Sequence, residues 1–188
     1  MEDKKLIKGC LKNDRRSQNR LYEKYFPLMS SVAIRYASSQ EEAVQKINGG
    51  FLKVLQNLKS YNKKSALATW IRNVLVNHII DEYRKEKKYI ASIHLAEYYE
   101  EDALVEYNIG ERNLEVKELL SMLDILPEVS KKVFNLYAID GYKHKEISHM
   151  LGISEGTSKW HVSDARKKLK ARLAEYGIEK AELMTTKR

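Results

Sequence analysis

Tyr142-Lys-His-Lys-Glu-Ile-Ser-His-Met-Leu-Gly-Ile-Ser-Glu-Gly-Thr-Ser-Lys-Trp-His-Val-Ser-Asp-Ala-Arg-Lys-Lys-Leu169 reads as two short helices joined by a tight turn. Ile147 and Leu151 lie one helical turn apart. Gly152 can take the left-handed conformation that ends a helix, and Ser154 can cap the next one. Ile153 plugs the space between the two, and Val162, Ala165 and Leu169 recur on the inner face of the second. This is the pattern of a helix-turn-helix, whose second helix enters the major groove of duplex DNA. An αα-hairpin with a glycine turn shares part of it, and the basic exit Arg166-Lys167-Lys168 favours DNA.

With Val162 and Ala165 inward, the outward face carries Glu155, Lys159, Trp160 and Ser163. Lys159, Arg166, Lys167 and Lys168 suit phosphates, which fix register without carrying sequence information, and Lys143 and Lys145 beside the first helix join the DNA-binding candidates. Ser154 and Thr157 open the second helix, where backbone donors can meet a phosphate. A large aromatic at Trp160 can touch a thymine methyl or stack on sugar, or lie flat on the surface.

Upstream, helical spacing persists. A first helix opens near Asp3 and carries Leu6, Ile7, Cys10 and Leu11; a second runs from Gln18 to about Ala37, with a kink or interruption expected at Pro27. A third, about Gln40 to Leu58, points Ala43, Ile47, Phe51, Leu52 and Leu55 inward. It contains Gly49-Gly50, each costing about 1 kcal/mol against alanine, so the pair needs a reason. Ser60 to Ala66 is a polar loop, followed by a helix from about Ala68 to Lys87 with Trp70, Ile71, Val74, Leu75 and Ile79 on one face. Leu114–Leu126 reads as a short helix, and Pro127 as the first residue of another that runs to Ala138 and buries Val133, Phe134 and Tyr137.

The 188 residues hold only two Pro and eight Gly, too little punctuation for a sheet-rich fold, so the expected class is all-α. The net charge of +8 is uneven: residues 1–88 carry +10, 89–113 carry −5 and 114–188 carry +3. Two small helical domains joined by an acidic linker follow, with a polyanion as partner. The boundaries expected are 1–88, a linker at 89–113, a helix-turn-helix domain at 114–175 and a tail at 176–188. The lone Cys10 fits a reducing compartment, no run is long and apolar enough for membrane insertion, and the Met1-Glu2-Asp3 start lacks a leader's basic end; a cytoplasmic protein is expected. No phosphate loop, serine elbow or metal-spaced Cys/His set occurs, and His144, His149 and His161 are poor ligand candidates. No enzyme, cofactor, metal or small-molecule ligand is expected.

Two sets of motifs resemble one family, the extracytoplasmic-function (ECF) sigma factors of bacterial RNA polymerase. Leu126-Pro127-Glu128, Gly141 to Ile147, Leu151 to Thr157 and Ala165 to Leu169 look like its promoter-reading C-terminal domain. Leu21 to Pro27, Phe51-Leu52-Lys53-Val54, and Trp70-Ile71 with Val74, Asn77 and Asp81 look like its N-terminal domain. The resemblance covers roughly residues 6–173 in the right order. It implies that the helix-turn-helix reads a −35 element, while the N-terminal helices bind the clamp helices of core RNA polymerase and capture the melted −10 strand of promoter DNA. It also implies an anti-sigma factor as a further partner.

By the same resemblance, the loop Asn62, Lys63, Lys64, Ser65, Ala66 and Leu67 forms a pocket for a flipped base, with Trp70, Asn77 and Arg84 on the adjoining helix. Melting needs such a site because contacts to an extruded base offset unstacking. Trp70 also suits a core aromatic. Core polymerase would meet Glu41, Glu42, Gln45, Asn48, Phe51 and Leu52. Acids that the family commonly carries where Val44, Gln45 and Gly49 stand are missing, and Lys46 adds a base. Ser158 stands where an apolar residue is common. The acidic linker resembles one that threads a channel, and a solvated tether explains its charge equally well. A stand-alone helix-turn-helix regulator and a helical adaptor are the competing readings.

Overall fold

The computed structural model describes residues 2–92 and 120–175, and the chain divides into two compact units, Met1–Ala103 and Leu104–Arg188. Among the described residues every regular element is helical. The first unit holds α1 (Glu2–Cys10), α2 (Arg15–Ala33), α3 (Gln40–Asn57) and α4 (Leu67–Ser92).

Asp14 begins α2 by accepting from the backbone N–H of Arg16 and Ser17, which satisfies two donors that a helix start leaves open. Pro27 lies inside this helix without ending or interrupting it, so of the expected kink or interruption the interruption does not occur. Leu21, Tyr25, Met29 and Val32 form the buried stripe of α2, which packs on α4, whose Ile71, Leu75, Ile79 and Ile80 are buried too, and this packing outweighs the one donor that proline lacks. Lys24 pairs with Glu2 and Asp3, and the Tyr25 hydroxyl donates to Asp3, fastening α1 to α2. Burial, with Asp3 beside it, pushes the Tyr25 phenol up to about 12.

The inner stripe of α3 is Ala43, Ile47, Gly50 and Val54, continued by Leu58 in a 3₁₀ turn. Leu52 is therefore not inward: it is 55% exposed, and Phe51 and Leu55 are half-buried. The reason is the glycine pair. A Cβ on Gly50 would stand 2.2 Å from Leu75 Cδ1, and one on Gly49 2.4 Å from His78 Nε2. α4 crosses there, and a stripe that runs through glycine escapes a count of apolar residues.

α4 extends past the expected end at Lys87 to Ser92, so residues 89–92 of the expected linker are helical; 93–113, 114–119 and the tail 176–188 lie outside the described residues. In the second unit a helical turn at 120–123 precedes α5 (Glu128–Phe134). Pro127 sits just before α5 in an extended conformation, as its cap. The helix expected to reach Ala138 widens into a π turn, Asn135–Ile139, and Tyr137 is half-buried while Val133 and Phe134 are buried. α6 (His144–Leu151) and α7 (Glu155–Glu175) complete the unit.

Candidate nucleic-acid interface

The turn between α6 and α7 has the geometry its residues dictate. Gly152 adopts φ 67° and ends α6, Glu146 accepts the backbone N–H of Lys143 at 2.7 Å, and Ser154 Oγ accepts that of Thr157 at 2.9 Å. α7 then buries Ser158, Val162, Ala165 and Leu169. The opposite face and the helix starts leave Lys143, Lys145, Ser154, Glu155, Thr157, Lys159, Trp160, Ser163, Arg166 and Lys167 exposed. All ten candidates are thus accessible, and cations outnumber the single carboxylate.

Two buried polar contacts hold this face in place. Ser158 is fully buried because its hydroxyl meets His144 Nδ1 at 2.9 Å, which removes the cost of a polar group on an apolar stripe. The His144 ring stacks on Tyr137 with centroids 4.4 Å apart, and the Arg166 guanidinium lies 5.6 Å from the same Tyr137 ring. His161 Nδ1 meets Ser130 Oγ at 2.8 Å, and Trp160, 61% exposed, rests edge-on against His161. The sequence gives no sign that Tyr137, Ser130 and Ser158 are supports, since each is ordinary until a histidine comes within reach.

Burial lowers the pKa of both histidines; Lys159 and Arg166 add to this at His144 against Glu155, and Asp164 opposes it at His161. A histidine held neutral by the fold takes up a proton on unfolding, so its contribution is complete above its ordinary 6.5 and is lost as pH falls from there through the folded value. Urea midpoints of the full chain at about pH 7 and about pH 5 check this: stability falls at the lower pH, and His144→Gln with His161→Gln makes the fall smaller. An equal fall in that variant would move the effect elsewhere.

In the first unit, residues 62–66 form an exposed loop with its own fastenings. Asn62 Oδ1 accepts the N–H of Lys64 at 3.0 Å, Lys63 sits at φ 62°, and the Tyr61 hydroxyl donates to Ser65 O at 2.8 Å. A left-handed lysine is uncommon, and the hydrogen bonds around it hold the turn. Asn62, Lys63, Lys64, Ser65 and Ala66 are therefore presented outward. Leu67 is not: at 4% exposed it anchors the loop to the core and cannot meet DNA as the loop's other residues can.

A groove of about 320 Å³ opens between α3 and α4. Asn57 and Ser60 line one side, and Trp70, Asn77, His78 and Asp81 the other, with Lys53 and Lys85 adding two cations. Trp70 is half-buried, tilted against Tyr61 at 5.4 Å, so it serves both core and groove. The groove joins Trp70 and Asn77, whereas Arg84, half-buried, lies outside its lining. Lys53, Asn57 and Ser60 escape a reading of the sequence because only the packing of α3 on α4 brings them to Asn77.

On the outer side of α3, Glu41, Gln45, Asn48 and Leu52 follow one stripe and are exposed, with Glu42 and Phe51 half-buried beside them. Tyr22 packs its ring against Phe51 at 5.0 Å and Phe26 at 5.5 Å and donates to Asn48 Oδ1 at 3.2 Å. Glu42 is engaged by Lys46 at 2.6 Å, which gives the added base a local role. Val44 and Phe26, 46% and 39% exposed, extend the apolar surface beyond the predicted set. Among the described residues no group of His, Cys, Asp or Glu could hold a metal ion, and no helix is long and apolar enough to cross a membrane.

Residues 21–89 match the family model for sigma-70 region 2, and residues 117–169 that for sigma-70 region 4, together more than half of the chain. The chain is 26% identical over 153 residues to the ECF RNA polymerase sigma factor EcfG of Rhodopseudomonas palustris, covering 81% of this chain and 83% of that protein. It is 24% identical over 177 residues to the ECF RNA polymerase sigma-E factor of Escherichia coli, covering 88% and 91%. Among solved structures it is similar in fold to the sigma factor RpoE of Bartonella quintana, in complex with the anti-sigma factor NepR. That match has a TM-score of 0.53 at 20% identity, over 90% of this chain and 98% of the other. CnrH in complex with the cytosolic domain of CnrY gives 0.50 at 19% identity, over 93% and 99%.

Proposed function

From the premise that this chain belongs to the sigma-70 family, as an ECF sigma factor with region 2 ahead of region 4, we propose how its residues divide the work of promoter-specific initiation. Sigma factors bind core RNA polymerase and promoter DNA and carry no enzyme activity of their own, and this chain is one of them. The α6–α7 pair would read the duplex −35 element, with Trp160 and Ser163 toward the groove and Lys143, Lys145, Lys159, Arg166 and Lys167 toward phosphates. The loop 62–66 and the groove carrying Trp70 and Asn77 would hold the melted −10 strand. The outer stripe of α3, with Glu41, Glu42, Gln45, Asn48, Phe51 and Leu52, would dock on the clamp helices of the polymerase.

The observation that carries this reading is the co-occurrence, in one chain, of an outward basic recognition helix and a separate polar groove ending in an ordered loop. A duplex reader alone needs only the first. An anti-sigma protein is a further partner: both similar solved structures are complexes, one with the anti-sigma factor NepR and one with the cytosolic domain of CnrY. The cytoplasm is the compartment in which these partners would be met.

Binding of the purified chain to core polymerase, followed by run-off transcription from its own upstream DNA, tests the assignment. Specific transcripts that require the chain support it; duplex binding without affinity for core overturns it. Lys159 is exposed and meets a phosphate in this arrangement. Lys159→Ala should lower the slope of log affinity against log salt by about one, and an unchanged slope removes that contact.

A further inference from the structure

Among the described residues of α7, Trp160 is the one large apolar side chain left exposed, at 61%. It stands in the second turn of the helix, within the N-terminal part that a helix-turn-helix sets against base edges. An indole is stabilised by leaving water, and the surface that covers it has to be apolar where the ring is apolar. The fold also braces the ring. It rests on His161 with centroids 5.0 Å apart and planes at 71°, and His161 Nδ1 meets Ser130 Oγ of α5 at 2.8 Å.

The neighbours of Trp160 on the helix surface, three and four residues away, are Gly156, Thr157, Ser163 and Asp164. Thr157 Oγ1 is engaged by Ser154 Oγ at 2.8 Å, and Asp164 by Lys168 at 3.0 Å. Among the described residues a Cβ on Gly156 would meet only Ser154 Oγ, at 3.5 Å. Packing therefore does not call for this glycine; it leaves the helix bare one turn before the indole. In the major groove each base presents hydrogen-bond donors or acceptors, and thymine alone of the four adds a methyl group at C5. A braced apolar ring beside a bare step matches that methyl. Against the polar edges it would cover groups without giving them partners, which costs free energy.

We propose that Trp160 is a specificity-determining residue of the −35 contact and selects thymine by packing its indole on the C5-methyl group. This rests on the sigma reading above and adds to it the kind of base that one residue selects. Deoxyuridine isolates the contact, because it lacks only that methyl and keeps every hydrogen-bonding group of thymine. A contact made through the indole N–H, or by stacking on sugar, is blind to the exchange.

The test replaces each thymine, on either strand, of the −35 element mapped by run-off transcription, one at a time, with deoxyuridine. Binding is measured for holoenzyme assembled from core polymerase and the full chain. At one position the exchange should weaken binding by about fourfold, the worth of roughly one buried methyl. Trp160→Ala should abolish that difference, so that the two duplexes bind alike. The variant should keep the melting temperature of the chain, since the ring is exposed, and the salt slope, since no phosphate contact goes. A fall in either marks a structural or phosphate role and overturns the proposal. So does the absence of a penalty at every thymine, a penalty that persists in Trp160→Ala, or a −35 element with no thymine on either strand. Failure of the sigma reading has a different signature. A chain that binds duplex but not core loses that reading, and the same exchange on the duplex it binds then decides Trp160. A chain that binds neither overturns both.

Discussion

Leu52→Glu should lower the affinity of the chain for core RNA polymerase by about a hundredfold while leaving duplex binding by the helix-turn-helix intact. Leu52 is 55% exposed on the outer stripe of α3, beside the half-buried Phe51 and the Tyr22 and Phe26 rings. In the proposed docking, this face lacks several acids common in the family, and apolar burial at Leu52, Phe51, Phe26 and Val44 would supply the energy instead. A central apolar anchor in an interface contributes about 2 kcal/mol or more, and a carboxylate left unpaired there costs a comparable amount. Titration of labelled chain with core polymerase measures it. An affinity within about threefold of the unaltered chain would move the docking surface off this stripe. Because Leu52 is exposed, the variant should keep its melting temperature, which separates docking from folding.

Gly50→Val should destabilise the first unit by about 3 kcal/mol, enough to lower its melting temperature by roughly ten degrees or more. Even a Cβ at this position would stand 2.2 Å from Leu75 Cδ1, and Leu75 is fully buried. The helix-propensity gain on replacing glycine is about 1 kcal/mol or less, so overpacking decides the sign. The discriminating measurement is a double-mutant cycle with Leu75→Ala, which opens space opposite. The two changes should be less damaging together than their separate effects predict. A stabilised Gly50→Val would mean that α3 and α4 do not cross at this point.

The helix-turn-helix was legible because every cue in it is local. Gly152 supplies a left-handed turn, Ser154 a cap, and Val162, Ala165 and Leu169 a stripe, all within eighteen residues. The candidate DNA-facing side chains of α7 follow from that stripe by subtraction, and all of them are exposed. The first unit was less transparent. Apolar periodicity turns α3 the wrong way about its axis because Phe51 and Leu52 look like core, while Gly50, which fills the inner position, has no side chain to count.

The site in the first unit was legible only in part. Trp70 and Asn77 are seven residues apart on one helix and so share a face by periodicity alone. The opposite side of their groove comes from Lys53 and Asn57 of α3 and Ser60 of the turn after it, which no local pattern marks out. Leu67 shows the converse error, a loop residue assigned to contact by position that the fold draws into the core. Pro27 shows the same competition between levels: a local helix breaker stays inside α2 because its stripe is buried against α4.

The sequence by itself determined an all-helical chain, the helix-turn-helix with its outward cations, and the family to which its motifs belong. These rest on periodicity, caps and turns, which act within a few residues and need no partner. Tertiary structure alone decided which face of α3 is outer, why two adjacent glycines sit in its middle, and which residues share a groove with Asn77. It also decided that a buried serine and a histidine on neighbouring helices hold the recognition helix in place. Those are close approaches between segments far apart in the chain, set by the shape of packed side chains.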